Sequence, residues 1–260
     1  MYKENITRNI GGEVMDDYRN DVNDDYNKCI FLEKIITYLF LTILFLSIIN
    51  TYINNEIVIY LIVFLNIAYV IIFFINDMYF INVAENERRK TNISNSFKVN
   101  ITTKKTNLYY NNQFEPSVKK MGVNSFESTL YTKNTLSKMI LYNALKTFLL
   151  GVMWIIIIVN VKNINIFQIT TELFFSAEVL LVLIKNIYYY FETKKLYDDF
   201  YYQFITKKYN DSEDLPIILQ YVLEYECLKS YCHFLLSERI FEKYKTKIKE
   251  EWTSILKEIK

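Results

Sequence analysis

Two stretches near the N-terminus contain no charged residue: residues 35–53 (IITYLFLTILFLSIINTYI) and residues 57–76 (IVIYLIVFLNIAYVIIFFIN). They are 19 and 20 residues long. A helix rises about 1.5 Å per residue, so each stretch is close to the roughly 30 Å thickness of a bilayer core. Only a few residues separate them, which allows nothing longer than a tight turn. The sequence therefore predicts a transmembrane helical hairpin over 35–76.

A second apolar pair follows a polar region. Residues 147–161 are apolar and reach the length of a full span if the helix extends back to 139 and tolerates Lys146, whereas residues 164–184 carry Glu172 and Glu178. These stretches predict a second transmembrane hairpin over 139–184. The expected fold is an all-α integral membrane protein with two transmembrane helical hairpins, which makes four spans, and a cytoplasmic helical body.

The basic residues predict the orientation, because cytoplasmic flanks retain Lys and Arg. Residues 77–138 hold ten basic and five acidic residues, whereas the two hairpin tips hold one Lys and no Arg. We therefore expect both termini and the middle segment to be cytoplasmic. All three cysteines, Cys29, Cys227 and Cys232, fall on that side, where thiols stay reduced.

Composition argues against several classes of enzyme. The chain has 260 residues and a net charge of +1, with four Gly, two Pro and one His. No dinucleotide-binding or P-loop motif is present, and His233 is the only histidine for a triad or a zinc-dependent hydrolase. Cys227, Cys232 and His233 lack the second Cys/His pair that a structural zinc site requires. We expect no catalytic site, no metal and no cofactor, and hence no enzyme.

The polar segments divide into three. Residues 1–34 form an acidic leader, either a solvated tail or an arm that binds a partner. Residues 77–138 form a basic insertion: a helix continues from the second span, 97–114 could form a short strand or a β-hairpin, and Pro116 and Gly122 predict a loop before a helix capped by Ser or Thr. Residues 185–260 form a helical tail, in which Asp214 is expected to cap the helix that contains Pro216.

The last helix of the tail carries an apolar stripe with steps of three and four residues. Its members are Ile240, Tyr244, Ile248, Trp252, Ile255 and Ile259. Such a stripe packs on something, which could be the chain's own bundle or a neighbouring subunit.

Basic and aromatic residues are interleaved in the insertion. Phosphates require Lys or Arg and bases stack on aromatic rings, so the mixture fits a nucleotide or cyclic oligonucleotide ligand. We expect no DNA or RNA polymer as a partner. It also fits a cytoplasmic segment that merely obeys the positive-inside rule. The candidate ligand-binding residues are Arg88, Arg89, Lys98, Lys104, Lys105, Tyr109, Tyr110, Lys119 and Lys120.

Four polar residues lie within the predicted second hairpin: Lys146, Gln168, Glu172 and Glu178. Mirroring the hairpin about its tip places Lys146 opposite Glu178, so these two could form a bridge within the membrane. Alternatively, Gln168 and the two glutamates line an aqueous path in an assembly of several copies, since acidic rings favour cations.

The whole arrangement resembles the SMODS-associated four-transmembrane effectors, the pore formers of bacterial antiphage systems that use cyclic nucleotides. Ala84 and the run Asn95-Ser96-Phe97 are similar to the family's polar helix after the second span, with Lys98 in place of the family's Asp. The run Phe126-Glu127-Ser128-Thr129-Leu130 resembles its motif before the third span, without the usual Trp and Arg.

The resemblance implies a membrane effector in the bacterial inner membrane. Its cytoplasmic part would sense a cyclic nucleotide made during phage infection, and homo-oligomerisation would permeabilise the lipid bilayer and stop growth or kill the host. The alternative is a non-conducting membrane adaptor whose cytoplasmic tail binds a partner through the apolar stripe.

Overall fold

The computed structural model describes residues 19–20, 22–104, 106–107, 110, 112–160, 180–207 and 209–259. Most of them lie in seven α-helices: α1 (Asn23–Ile53), α2 (Glu56–Ile75), α3 (Ile81–Phe97), α4 (Val118–Asn160), α5 (Val182–Tyr201), α6 (Asp211–Cys232) and α7 (Glu238–Glu258). Two π-helical segments, Asn76–Phe80 and Tyr202–Thr206, connect α2 to α3 and extend α5. The predicted helical architecture is confirmed for this part of the chain.

Helices α1 and α2 form an antiparallel pair with a two-residue connection. Asn54 ends α1 in the left-handed conformation, with a φ of 50°. The side chain of Asn55 then caps α2 by accepting a hydrogen bond from the N–H of Ile57 at 2.8 Å. Phe40 and Tyr69 are equally distant in sequence from this turn, and their ring centroids lie 6.5 Å apart. The two helices therefore pack along each other from the turn.

Two helical stretches, Asn23–Asn50 and Glu56–Phe97, are long and apolar enough to cross a membrane. Helix α2 has no buried residue, and Ile57, Tyr60 and Phe64 expose 75%, 72% and 67% of their surface. A core helix of a water-soluble protein would bury such residues. The first predicted hairpin thus has the length and the surface that a bilayer requires, whereas residues 161–179 of the second lie outside the described residues.

The loop predicted at Pro116 and Gly122 is wrong in its extent, because α4 begins at Val118 and runs through Gly122. Ser117 caps the helix, since its hydroxyl accepts a hydrogen bond from the N–H of Lys120 at 3.2 Å. The Ser and Thr residues that were expected to cap α4 lie inside it. A Cβ at position 122 would lie 3.1 Å from Cζ of Phe204 and closer still to Ile218, so this glycine allows close packing rather than a turn.

Of the two alternatives for 97–114, the described residues show a short strand, which pairs with the leader. Thr106–Asn107 pairs antiparallel with Arg19–Asn20 of the leader. An ion pair between Lys104 and Asp25 lies beside this ladder. The short strand therefore ties the insertion to the leader instead of folding back on itself, and the ion pair beside it joins the same two segments.

The tail folds into α5, α6 and α7, which agrees with its predicted helical character. Helix α6 begins at Asp211, so Asp214 lies in its first turn rather than at its cap. The Asp214 carboxylate accepts hydrogen bonds from the N–H of Asn210 at 2.8 Å and from Nζ of Lys207 at 2.7 Å. Pro216 lies inside the helix. The hydroxyl of Ser237 caps the start of α7 by accepting a hydrogen bond from the N–H of Ile240.

Helices α4, α5, α6 and α7 enclose an aromatic core, and the part of the molecule that they form is here called the helical body. Phe126 lies at its centre, with ring centroids of Phe200, Phe204 and Trp252 at 5.8, 6.0 and 5.4 Å. Most of the α7 stripe is buried here, and Trp252 is almost fully enclosed. Of the two alternatives for that stripe, the structure shows packing on the chain's own bundle.

Candidate functional site

Helices α3 and α6 are joined by a buried set of charges, here called the α3–α6 ion cluster: Glu85, Arg88, Arg89, Glu226 and Lys229. Nε of Arg88 donates to Oε2 of Glu85 at 2.8 Å, and its Nη1 donates to Oε1 of Glu226 at 3.0 Å. Nη2 of Arg88 contacts the second Glu226 oxygen, which makes that pair bidentate. Nζ of Lys229 lies 3.8 Å from Oε1 of Glu85.

The ion cluster shifts the pKa of its own members. Burial alone would raise the pKa of Glu85, but the charges of Lys229 and Arg88 outweigh it and lower that pKa to about 2. Burial lowers the pKa of Lys229 to about 8, and the neighbouring Arg88 acts in the same direction. At neutral pH the Glu85 carboxylate is therefore fully ionised, and the Lys229 amine is predominantly protonated.

Two predicted phosphate-binding residues belong to this cluster. The side chain of Arg88 is 9% exposed and is held by two carboxylates. Arg89 donates from Nη2 to the hydroxyl of Ser230 at 2.7 Å. Both arginines connect helices in this structure; Arg88 is enclosed by its partners, whereas the Arg89 side chain is 37% exposed.

The carboxylate partners and Lys229 were missed in the sequence analysis. A signal was present, because Glu85 and Arg88, like Glu226 and Lys229, are three residues apart and face the same side of a helix. Tyr26 of α1 also contributes by donating its hydroxyl to Oε1 of Glu85 at 2.6 Å. The ion cluster thus brings together α1, α3 and α6.

A cluster of amides and one hydroxyl holds α3 against the start of α4. Nδ2 of Asn124 lies 3.3 Å from Oδ1 of Asn92, 3.1 Å from Oδ1 of Asn95 and 3.0 Å from the hydroxyl of Ser96. Asn112 donates to Oδ1 of Asn124 at 2.6 Å. Asn95 and Ser96 belong to a run quoted for the family resemblance, and Ser96 is fully buried. This run packs α3 on α4.

The remaining basic candidates near α4 lie around its first turn. The ammonium of Lys119 lies 5.3 Å from the ring centroid of Phe114 and 4.9 Å from that of Tyr209. Lys120 is 7% exposed. Lys98 is exposed at the end of α3, where its φ of 54° stops the helix. The aromatic neighbours of Lys119 are therefore Phe114 and Tyr209, whereas Tyr109 and Tyr110 were the aromatic residues predicted for a nucleotide site.

The other candidates of the insertion are less well defined. Lys104 forms an ion pair with Asp25 of α1. Tyr110 is half-buried and has a partner of its own. Lys105 and Tyr109 lie outside the described residues.

A cavity of about 670 Å³, here called the junction cavity, lies where the apolar stretches reach the helical body. Lys146 lines it, at the level of Asp77 and Lys185, which directly follow the second and fourth apolar stretches. Its other charged or titratable lining residues are Glu33, Lys34, His233, Glu238 and Arg239. Gln168, Glu172 and Glu178 lie outside the described residues, so the Lys146–Glu178 bridge stays a prediction.

The cysteines differ in their surroundings. Cys232 is buried, and burial raises the pKa of its thiol to about 11, whereas Cys227 is exposed. Across the described ranges, no group of three or more metal-ligating side chains comes together. The candidate site is a set of charged contacts between helices together with the junction cavity.

Comparison with protein-family models, curated proteins and solved structures finds no match for this chain.

Proposed function

We propose that this chain is a four-span effector of the bacterial inner membrane in antiphage defence. Its cytoplasmic region senses a cyclic nucleotide, and several copies assemble to permeabilise the membrane, which arrests growth or kills the cell. The protein acts without catalysis. The resemblance described above supports this proposal, together with the shape of the helices.

The first two spans correspond to α1 and α2, whose apolar side chains are exposed. The C-terminal half of α4 offers a third, since Phe148, Leu149 and Val159 expose 67%, 55% and 76% of their surface. The apolar sequence 164–184, which leads into α5, supplies the fourth. With cytoplasmic termini, all four spans then end at the junction cavity.

The observation that carries the sensor–effector proposal is the continuity between α2 and α3. One uninterrupted helical path, Glu56–Phe97, leads from the apolar segment to the helical body, with only a π-helical segment at the boundary. Arg88 then fastens α3 to α6 through Glu226. The continuous helix gives a rearrangement of the body a direct route to the second span, and π-helical segments are frequent at functional sites.

The ligand site that fits best lies at the first turn of α4, around Lys119 and Lys120. A phosphate would interact with these ammonium groups, and a base would stack on Phe114 or Tyr209. Binding shifts the equilibrium only if the ligand binds the open arrangement more tightly than the resting one. Glu172 and Glu178 would then line the path through the assembled spans.

The adaptor alternative loses its predicted docking surface. Ile248, Trp252 and Ile255 of the α7 stripe are buried in the chain's own core. A partner could reach them only by unfolding the body.

Membrane depolarisation tests the proposal. The full chain, reconstituted in liposomes that contain a potential-sensitive dye, should depolarise them only when a cyclic nucleotide is added on the side of the helical body. The double substitution Lys119→Gln/Lys120→Gln should raise the nucleotide concentration required by about tenfold or more, because two phosphate contacts are lost.

The matched control is Lys249→Gln/Lys257→Gln, which removes the same charge from exposed positions on α7. Its nucleotide response should equal that of the wild type. If a panel of cyclic di- and trinucleotides causes no depolarisation, the effector function is wrong; if both double variants respond alike, the nucleotide site is elsewhere.

A further inference from the structure

The junction cavity is lined by basic side chains that come from different helices. Four helices contribute its basic side chains: Lys34 from α1, Lys146 from α4, Lys185 from α5 and Arg239 from α7. Among the residues that the structure describes, none of these four forms an ion pair. The cavity therefore gathers four cationic groups whose charges are not balanced by direct contacts.

The carboxylates that line the cavity are engaged in other ways. Oδ1 of Asp77 lies 3.4 Å from Nδ1 of His233. Glu238 belongs to the first turn of α7, where the helix dipole favours a negative charge. Glu33 also has an interaction of its own. The four basic side chains outnumber the three carboxylates Glu33, Asp77 and Glu238 by one, which favours one additional anion beside the basic groups.

The wall toward the apolar segments has a different character. Tyr38, Tyr69 and Phe73 line it there, and Tyr is typical of the boundary between hydrocarbon and water. Above this level, the described residues of the α1–α2 pair and of α4 make no extensive contact with each other. The cavity therefore combines basic side chains on one side with aromatic side chains on the side of the gap between the α1–α2 pair and α4.

We propose that the junction cavity binds the phosphate headgroup of an anionic phospholipid from the cytoplasmic leaflet. The phosphate lies among Lys146, Lys185 and Arg239, and the acyl chains extend between the helical pairs. The volume of about 670 Å³ is in the range of small-molecule sites. Basic pockets between spans on the cytoplasmic side are suited to anionic headgroups. This inference rests on the membrane placement proposed above, but not on nucleotide sensing.

Lipid retention tests it. The full chain in mild detergent is titrated with phosphatidylglycerol or with phosphatidylcholine, and bound lipid is counted by native mass spectrometry. The wild type should retain phosphatidylglycerol preferentially. The variant Lys146→Gln/Lys185→Gln/Arg239→Gln should bind phosphatidylglycerol at least about tenfold more weakly, because each basic residue near an anionic headgroup contributes to the affinity.

The control variant Lys194→Gln/Lys249→Gln/Lys257→Gln removes the same charge from exposed positions outside the cavity. If it loses as much phosphatidylglycerol as the cavity variant, attraction to the basic body as a whole explains the binding and the proposal is overturned. If the triple cavity variant does not fold, Lys146→Glu alone, at an exposed position, should still reduce retention; unchanged retention there also overturns the site.

A second arm separates a lipid headgroup from a free anion. Inorganic phosphate is added to the protein with phosphatidylglycerol bound. Retention of the lipid at millimolar phosphate supports a headgroup site, whereas displacement identifies a site for a soluble phosphate and overturns the lipid assignment. Selective lipid retention without nucleotide-triggered depolarisation would reject only the proposed function.

Discussion

Gly122 determines how closely α4 approaches α6. Its missing side chain leaves room for Ile218, which is fully buried, and for the ring of Phe204. A β-carbon there meets a branched side chain that cannot rotate away without disturbing the core. In the sequence this glycine predicts a turn, whereas its role in the fold is to allow contact between helices.

We expect Gly122→Ala to destabilise the body by about 1–3 kcal/mol from overpacking, partly offset by about 1 kcal/mol of gained helix propensity. The measurement is the free energy of unfolding of the detergent-solubilised protein. Ile218→Ala supplies the second half of a double-mutant cycle: in that background Gly122→Ala should cost less, because the contacting methyl group is gone. Strictly additive effects would show that the two residues do not clash.

At the scale of elements, the role of α3 depends on one buried face, whose two ends contact different helices. One end carries Glu85 and Arg88 toward α6, and the other carries Asn92 and Ser96 toward α4. Buried polar contacts of this kind fix a single register between helices, because any other register leaves charges without partners. A helix held in this way moves as a unit with the elements around it.

The ion cluster makes stability depend on pH at the acidic end. The pKa of Glu85 is about 2 in the folded chain and has an ordinary value of 4.5, so the folded state favours the charged carboxylate. Its contribution is complete above pH 4.5 and is lost as the pH falls toward 2. The free energy of unfolding, measured from pH 7 to pH 3, should therefore fall more steeply for the wild type than for Glu85→Gln.

Glu85→Gln should also cost about 3 kcal/mol at pH 7, because two buried cations lose a partner. The control is Glu242→Gln on α7, which breaks an exposed pair with Lys245 at 3.0 Å and should cost less than about 1 kcal/mol. Parallel pH profiles for the wild type and Glu85→Gln would show that Glu85 is not the group that titrates.

At the scale of the whole molecule, the cysteines report orientation. Cys227 is exposed on α6, whereas Cys29 and Cys232 are buried. With a cytoplasmic body, a membrane-impermeant maleimide should label Cys227 in inverted vesicles but not in intact cells. Cys227→Ser should abolish this labelling until the protein is denatured, when the two buried thiols become reactive. Labelling of Cys227 in intact cells would reverse the proposed topology.

Local sequence patterns predicted much of the architecture correctly. The apolar stretches 35–53 and 57–76 correspond to exposed apolar helices, and the continuation of the second into α3 is also confirmed. The α7 stripe was predicted almost residue by residue. These features depend on hydrophobicity and helical periodicity, which act within one segment and can be read without knowing its neighbours.

The candidate site was predicted only in part, because its geometry depends on long-range contacts. The sequence identified Arg88, Lys119 and Lys146 as notable, but it could not show that Arg88 faces Glu226, 138 residues away. Nor could it show which helices surround Lys146. A side chain's chemistry is local, whereas its partner is chosen by the packing of distant elements.

The sequence alone thus determined that this chain has helices with membrane-compatible apolar surfaces joined to charge-rich helices, since length and hydropathy are properties of single segments. Only the tertiary structure decided that Gly122 is a packing contact and that the α7 stripe is internal. It also brought the basic residues at the ends of the apolar stretches together around one cavity. Those outcomes follow from how helices pack against each other, because burial and charge pairing are settled jointly by residues far apart in the chain.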